Sequence, residues 1–265
     1  MIHPKIAITR GLSPAFEQSL KQNVPSSPID VKLAQQQHQA YVDAIHELVP
    51  TVIFLEGDEN HPDSNFVEDT GIVVGNTAVK SFMGAASRRG EEIPVAETFR
   101  NLGLEMYEIH SPGTMDGGDI LFTGRDIFVG LSKRTNADAL RQIENIFEGK
   151  YPVHKIPVSE GLHLKSLISF FDSETLVLAG TSAGLALKKE IDMRSHYNFV
   201  IVPDTVASNV LRLGSTLLIQ DGFPESENIL RKLAEQHNLT VRALNMSELI
   251  KADGALTCGS ILVYH

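Results

Sequence analysis

The chain has 265 residues, carries a net charge of −10 at pH 7, and contains one cysteine and ten histidines. The acidic balance excludes a surface that neutralises nucleic-acid phosphates, so we expect no nucleic-acid partner. One cysteine excludes an intramolecular disulfide and a thiolate-rich zinc site, and the histidines lack the paired spacing that is typical of a metal site.

The length is that of one domain, and no Pro- or Ser-rich linker divides residues 1–265. The N-terminus has no basic region followed by an apolar core, and no apolar run approaches the length that spans a bilayer. We therefore expect a single cytoplasmic domain with no membrane partner, no metal site and no cofactor.

The predicted elements repeat one unit along the chain. A strand at 5–9, a helix at 31–48 and a strand at 51–55 come first. Four units follow, each with a hairpin, a helix whose apolar residues have three- and four-residue spacing, and a returning strand. The hairpins turn at 76–77, 124–126 and 214–215. The helices are predicted at 91–102, 136–147, 182–192 and 225–237, the returning strands at 106–109, 151–156, 199–202 and 240–244, and a last strand at 260–263.

Side chains that carry chemistry recur at one position of this unit, just before a β-rich run. Asp69 and Asp116 are 47 residues apart, and His163 follows after another 47. Cys258 lies 95 residues beyond His163, which is about two further steps, and the unfilled step falls near Asn209. A period in this range is typical of repeated units that stack or close on one another, although hairpins and helices of this size also recur by chance in α/β proteins.

The fifth unit is divided between the two ends of the chain, because the strand at 260–263 can pair with the strand at 5–9. Such pairing closes the repeats into a ring and points equivalent positions at a central axis. We therefore predict an α/β fold with a pseudo-five-fold repeat, an α/β propeller of five blades closed by its terminal strands. The repeated acids, the histidine and the cysteine then meet in one pocket.

Cys258 is the candidate nucleophile. A lone cysteine is more often an inert core residue. This one, however, precedes Gly259, which permits close backbone approach, and it lies at the same position of the repeat as His163 and the acids. A thiol with a positioned histidine is the minimum for nucleophilic catalysis. A redox or zinc sensor that uses the same two residues is an alternative.

Seven segments in order resemble the dimethylarginine dimethylaminohydrolases, which are guanidine-modifying enzymes of the pentein superfamily. Among them are Asp116-Gly117-Gly118-Asp119, the run Gly161-Leu162-His163-Leu164-Lys165-Ser166, and Asp253-Gly254 with Leu256-Thr257-Cys258. The resemblance runs nearly end to end, and it implies the five-bladed α/β propeller fold as well. The full set of segments lies at 62–69, 87–89, 116–119, 121–125, 130–136, 161–166 and 253–258.

This resemblance implies hydrolysis of Nω-methylated arginine to citrulline and an alkylamine, without a cofactor. The Cys258 thiolate would attack the guanidinium carbon, and His163 would protonate the departing amine and then activate water to hydrolyse the thiouronium adduct. Asp116 would orient His163. Asp69, with Glu68 close by, would bind the guanidinium through charge-assisted hydrogen bonds, although a structural ion pair is an equal alternative for Glu68.

The resemblance also implies how the amino acid end of the substrate is bound. Arg88 and Arg134 would clamp the α-carboxylate, while Asp63 and the backbone of Leu12 would receive the α-amino group. The expected small-molecule partner is then a guanidino amino acid, and a homodimer is a candidate assembly. Gly259 stands where some relatives have a second cysteine, and residues 81–84 also depart from relatives, which leaves the preference among methylated arginines open.

Several other activities share parts of this pattern. Arginine deiminase has the same chemistry but typically an extra helical domain, and agmatine deiminase does not need a carboxylate clamp. Amidinotransfer would follow if an amine captured the adduct. A non-catalytic pentein binding protein would lack the catalytic thiol, so the presence of Cys258, His163 and Asp116 argues against it.

Overall fold

Five three-stranded sheets form the framework of the computed structural model, which describes residues 3–264. In each sheet the first strand is antiparallel to the middle strand, and the middle strand is parallel to the third. The strands are β1 (Ile6–Arg10), β2 (Thr51–Leu55), β3 (Gly71–Val74), β4 (Thr77–Lys80), β5 (Glu105–Glu108), β6 (Ile120–Phe122), β7 (Ile127–Leu131), β8 (Val153–Pro157), β9 (Ile168–Phe170), β10 (Thr175–Ala179), β11 (Asn198–Val202), β12 (Leu211–Leu213), β13 (Thr216–Gln220), β14 (Thr240–Leu244) and β15 (Ser260–Val263).

We call these sheets blades and number them in chain order. Blade 1 contains β3, β4 and β5, blade 2 contains β6, β7 and β8, and blade 3 contains β9, β10 and β11. Blade 4 contains β12, β13 and β14, and blade 5 contains β15, β1 and β2. Residues of all five first strands line one cavity of about 130 Å³, so these strands surround the axis of the ring.

A helix connects the parallel pair of strands in every blade, as parallel pairing requires a crossover. Several helix starts are explained by capping: Asp30, Asn136 and Thr181 each accept a hydrogen bond from a backbone N–H of the first turn. Pro224 begins another helix, where its missing N–H costs nothing. The helices are α1 (Val31–Leu48), α2 (Glu92–Asn101), α3 (Ala137–Ile146), α4 (Ser182–Asp192), α5 (Pro224–Gln236) and the short α6 (Ser247–Ile250).

The hairpin turns of blades 1, 2 and 4 depend on glycine. Gly75, Gly124 and Gly214 have φ values of +57°, +91° and +58°, a left-handed conformation that other residues adopt only with strain. The first turn occupies residues 75–76, one position earlier than the predicted 76–77, because Gly75 rather than Asn76 takes the positive φ. The other two turns lie where they were predicted.

Pairing of β15 with β1 closes the ring. The two strands are antiparallel, with Ile6 opposite Val263 and Thr9 opposite Ser260. On its other side β1 runs parallel to β2, with Ile6 opposite Thr51. Both ends of the described chain therefore lie in blade 5, and the prediction of closure by the terminal strands is confirmed.

The apolar core is divided into five clusters, each between two consecutive blades. The cluster between blades 5 and 1, for example, contains Ile8 and Ile261 of one blade with Ala78 of the other, and Phe99 of α2. The remaining four clusters repeat this arrangement around the ring. No blade buries its apolar faces alone, which is the physical reason that the repeats must close.

The predicted helices agree with the structure to within one residue at either end. The larger differences are the third strand of blade 2, which begins at Val153 rather than at 151, and α6, which was not predicted because one turn is too short for a periodic signal. Among residues 3–264, no helix combines the length and apolar character needed to cross a bilayer.

Replacement of Ile261 tests the contribution of the closing strand. Ile261 is 5% exposed and packs between blades 5 and 1, so Ile261→Ala should lower the free energy of unfolding by about 2–5 kcal/mol. Ile201, which is 41% exposed on β11, provides a matched control whose alanine variant should lose much less. Urea unfolding followed by circular dichroism measures both. Equal losses would show that β15 is not part of the cooperative fold.

Candidate active site

Five short 3-10 turns, one before the first strand of each blade, build the site. They lie at Val67–Thr70, Gly117–Asp119, Leu164–Ser166, Val206–Ser208 and Thr257–Gly259. The repeated position of the sequence lies within each turn or directly beside it, so it corresponds to one place in the fold. The side chains at this position meet near the axis of the ring.

A cavity of about 150 Å³ opens between these turns. Six of the predicted site residues line it together: Asp63, Asp69, Arg88, Arg134, His163 and Cys258. Asp116 lies directly behind the imidazole of His163 and is fully buried.

His163 is enclosed by carboxylates. Its Nε2 is 3.0 Å from Oδ2 of Asp116, and its Nδ1 is 3.8 Å from Oδ1 of Asp69. Burial favours the neutral ring, but the charges of Asp69, Asp119 and Asp116 outweigh it and raise the pKa of His163 to about 9. The histidine is therefore an imidazolium at neutral pH and is ready to act as an acid.

Asp69 is held by a fixed set of donors. Its Oδ2 accepts a 2.6 Å hydrogen bond from Nη1 of Arg88, and its Oδ1 accepts one from the backbone N–H of Gly118 at 3.0 Å. Burial opposes the charged form, but the charges of His163 and Arg88 hold the pKa of Asp69 well below its usual range. Asp69 therefore remains a carboxylate beside the cavity.

Arg88 is the buried counterion of two acids. Its side chain is 3% exposed, and besides Asp69 it donates from Nε and Nη2 to the carboxylate of Glu91. Nη2 also donates to the carbonyl oxygens of Asp63 and Phe66. Most of its N–H groups are therefore already satisfied within the protein.

Asp116 connects the histidine to a second arginine. Its Oδ2 accepts from Nη1 of Arg134 at 3.2 Å as well as facing His163, and its Oδ1 accepts from the backbone N–H of Gly84 at 2.9 Å. Arg134 is only 14% exposed at its side chain and lines the cavity. The two arginines thus compensate the two carboxylates that flank the imidazole.

Cys258 sits in the middle of the turn of blade 5 and is partly buried. Gly259 is required next to it, because a Cβ at that position would lie 2.5 Å from the ring of Tyr41. Burial raises the pKa of the Cys258 thiol, and the charges of Glu68 and Asp69 raise it further. Without a cation in the cavity the sulfur is therefore a thiol at neutral pH.

Glu68 does not line the cavity that contains Cys258. Its Oε1 pairs with Nζ of Lys165, and its Oε2 accepts a 3.0 Å hydrogen bond from Oγ1 of Thr257. These three residues instead line the axial cavity between the five first strands. Of the two roles predicted for Glu68, the structure places it in the ion pair, because neighbouring residues of a tight turn point in different directions.

Leu12 is also absent from the cavity lining and instead packs against the apolar cluster between blades 4 and 5. Leu20, further along the same segment, does line it, and its backbone N–H donates to Oδ1 of Asp63 at 3.1 Å. Gln22 lies beside it and donates from its N–H to Asp253, another lining residue, at 2.6 Å. The motif at 253–258 signalled Asp253, whereas no periodic or motif signal marked Leu20.

Asp69, Asp116 and His163 could together offer three ligand atoms to a cation, since these atoms lie within 4.8 Å of one another. Arg88 and Arg134 already pair with the two carboxylates. The arrangement therefore suits proton transfer better than metal binding.

A ring of five α/β blades around a cavity with an imidazolium, paired acids and a thiol defines a hydrolase of the pentein fold. A family model for eukaryotic N,N-dimethylarginine dimethylhydrolase matches residues 13–166. A dimethylarginine dimethylaminohydrolase of Streptomyces coelicolor is 33% identical over 260 residues, which cover 97% of this chain and 96% of that protein. The chain belongs to the dimethylarginine dimethylaminohydrolase family.

Two solved structures of this family resemble the fold closely. One is a cysteine-to-serine variant of the Pseudomonas aeruginosa enzyme in complex with citrulline, with a TM-score of 0.88, 27% identity, and coverage of 98% of this chain and 99% of that one. The other is a histidine-to-glycine variant as an adduct with S-methyl-L-thiocitrulline, with a TM-score of 0.86 and the same identity and coverage.

The raised pKa of His163 predicts how stability depends on pH. A group whose pKa is higher in the folded state stabilises the fold below its unfolded pKa of about 6.5 and loses that contribution as pH rises through about 9. Between pH 6.5 and 9.5 the wild type should therefore lose up to about 3 kcal/mol relative to His163→Gln. His46→Gln, on an exposed position of α1, should follow the wild type in urea titrations. A constant difference between wild type and His163→Gln would contradict the prediction.

Proposed function

We propose that this protein hydrolyses Nω-methylated arginine to citrulline and an alkylamine through a covalent adduct on Cys258. The observation that carries the proposal is the cavity itself, which brings the thiol, the imidazolium of His163 and the carboxylate of Asp69 together. Family membership supports the same reaction. The proposed catalytic unit is the whole chain, residues 1–265, because residues from all five blades build the site or the cavities beside it.

The first half of the reaction requires a guanidinium next to a thiolate. A cation that enters beside Asp69 reverses the local field, so it stabilises the sulfur anion that the empty site disfavours. The Cys258 thiol loses its proton to solvent, and its sulfur forms a bond to the guanidinium carbon. Collapse of the tetrahedral intermediate breaks the bond between carbon and the methylated nitrogen, and His163 donates a proton to the departing amine.

The second half uses the same histidine as a base. Once it has donated its proton, the neutral His163 takes a proton from water, and the hydroxide oxygen attacks the thiouronium carbon. The carbon–sulfur bond then breaks, and the hydroxyl proton of the intermediate passes to the sulfur. The ureido product is released, Cys258 is again a thiol, and His163 is again an imidazolium. Asp116, at 3.0 Å from Nε2, keeps the ring oriented through both steps.

The amino acid end of the substrate would lie at the side of the cavity formed by Arg134 and Asp63. We propose that Arg134 binds the α-carboxylate, since among residues 3–264 its guanidinium donates a hydrogen bond only to Asp116. Arg88 would act beside it as a fixed part of the wall, because its N–H groups are largely engaged. Asp63 would bind the α-amino group, and Leu20 rather than Leu12 would lie beside it, because Leu20 lines the cavity and its backbone N–H holds the carboxylate of Asp63 in place.

Replacement of the nucleophile should abolish turnover. Cys258→Ser keeps the size of the side chain but removes the polarizable thiolate, so citrulline production should fall to background while the urea unfolding midpoint stays near that of the wild type. Citrulline and released amine are quantified with dimethylarginine, arginine and agmatine as separate substrates. A serine variant that makes citrulline at a rate comparable to the wild type would refute the covalent route.

A comparison of substrates with and without an α-carboxylate tests whether Arg134 binds that group. Agmatine lacks the α-carboxylate, so Arg134→Ala should reduce kcat/KM for methylarginine by roughly a hundredfold or more, and should reduce any agmatine turnover far less. Arg141→Ala, on an exposed arginine of α3, is the matched control and should alter neither. Equal losses on both substrates would mean that Arg134 serves the structure alone.

A further inference from the structure

Asn209 occupies the position of blade 4 that is equivalent to the catalytic positions of the other blades. It ends the turn Val206–Ser208 and is 2% exposed, yet it does not line the cavity that contains Cys258. A buried amide at this place calls for an explanation, because it carries none of the acid–base or nucleophilic chemistry of its counterparts.

The amide of Asn209 is bonded to the turns on both sides of it. Its Oδ1 accepts from the backbone N–H of Thr257 at 2.9 Å. Its Nδ2 donates to Oγ1 of Thr257 and to the carbonyl oxygen of Lys165, both at 3.0 Å. One side chain of blade 4 thus holds the nucleophile turn of blade 5 and the turn of blade 3 that follows His163.

The directions of these bonds are determined by the next residue. Oγ1 of Thr257 has one proton, which it donates to Oε2 of Glu68, so it can only accept from Asn209. Glu68 in turn pairs with Nζ of Lys165. The four residues form a closed ring of hydrogen bonds, and three of them, Glu68, Lys165 and Thr257, line the axial cavity. The amide nitrogen of Asn209 supplies two of the donors in this ring without adding a charge.

The nucleophile turn is held from its other side by α1. The ring of Tyr41 packs on Gly259, and its hydroxyl donates to Oγ of Ser260 at 2.8 Å. Cys258 therefore lies between two buried anchors, Tyr41 after it and Asn209 before it. A shift of the backbone that carries Cys258 therefore requires one of these anchors to move.

We propose that Asn209 is a positioning residue for the nucleophile, a role that rests on the proposed function of Cys258. It fixes the Cys258 turn through Thr257 and joins that turn to the blade 3 turn that contains Lys165. A displacement of about 1 Å at a reacting atom costs on the order of a hundredfold in rate, so this anchoring is a substantial part of catalysis. Arg134 and Asp63, at the substrate's other end, are not part of this ring.

The test compares Asn209→Asp and Asn209→Ala with a matched control. Gln37 is also a buried amide with three hydrogen bonds, to Asn245, Ser247 and Glu248, none of which lines the catalytic cavity. Both Asn209 variants should lower kcat for dimethylarginine by roughly tenfold to a hundredfold with KM within about threefold of the wild type. Gln37→Glu and Gln37→Ala should lower only the urea unfolding midpoint.

A second pair keeps the proposal testable if the Asn209 variants do not fold. Thr257→Val removes the hydroxyl of the ring and should show the same selective loss of kcat, whereas Thr257→Ser keeps it and should recover most of that loss. Loss of kcat in proportion to loss of stability, equally for the Gln37 and Asn209 variants, would overturn the positioning role. So would Val and Ser variants of Thr257 that behave alike.

Alkylation of the wild type separates this proposal from the one on which it rests. Iodoacetamide labelling of the single cysteine is followed by mass spectrometry while citrulline production is measured. Labelled enzyme that still turns over would refute Cys258 as the nucleophile. Labelled enzyme that is inactive, together with Asn209 and Thr257 variants that match the Gln37 controls, would refute the positioning role alone.

Discussion

The site depends on the buried ion pairs that Arg88 forms with two acids. Its guanidinium joins Asp69 to Glu91 where almost no water reaches, and the removal of one partner from a buried pair typically costs about 3–5 kcal/mol. Arg88 keeps Asp69 ionised from one side, and the ionised carboxylate stabilises the imidazolium of His163 on the other. Arg134 likewise compensates the negative charge of Asp116. The cavity therefore keeps a carboxylate for a cationic substrate without an excess of unpaired buried charge.

The fold places these groups by repetition. Each blade enters its first strand through a short turn, and closure of the ring points all five turns at one axis. Three of the turns contribute an acid or a histidine, the fifth contributes the thiol, and the fourth contributes an amide that joins its neighbours. Residues of the candidate site that are up to 189 positions apart, such as Asp69 and Cys258, line the same cavity because each belongs to a neighbouring turn of the ring.

Much of this arrangement could be predicted from the sequence, because the periodic spacing of residues determines both the repeated units and the position of the site within them. The spacing of Asp69, Asp116 and His163 indicated the repeat, and the three- and four-residue spacing of apolar residues located the helices to within one residue. What could not be predicted depends on packing between segments that are distant in the chain. The side chain of Glu68 points toward the axial cavity because it pairs with Lys165. Leu20 reaches the site because of the path of a loop without regular structure.

The pairing of Ile6 with Val263 has a consequence for how the chain reaches this state. These residues are 257 positions apart, so bringing them together costs about 5 kcal/mol of chain entropy by the logarithmic dependence on loop length. Contacts of such long range are expected to slow folding, since their entropy is lost before their energy is gained. The strand that completes the ring is also the one that follows Cys258. Its late arrival would make the reactive sulfur one of the last groups to reach its place, after the acids and the histidine.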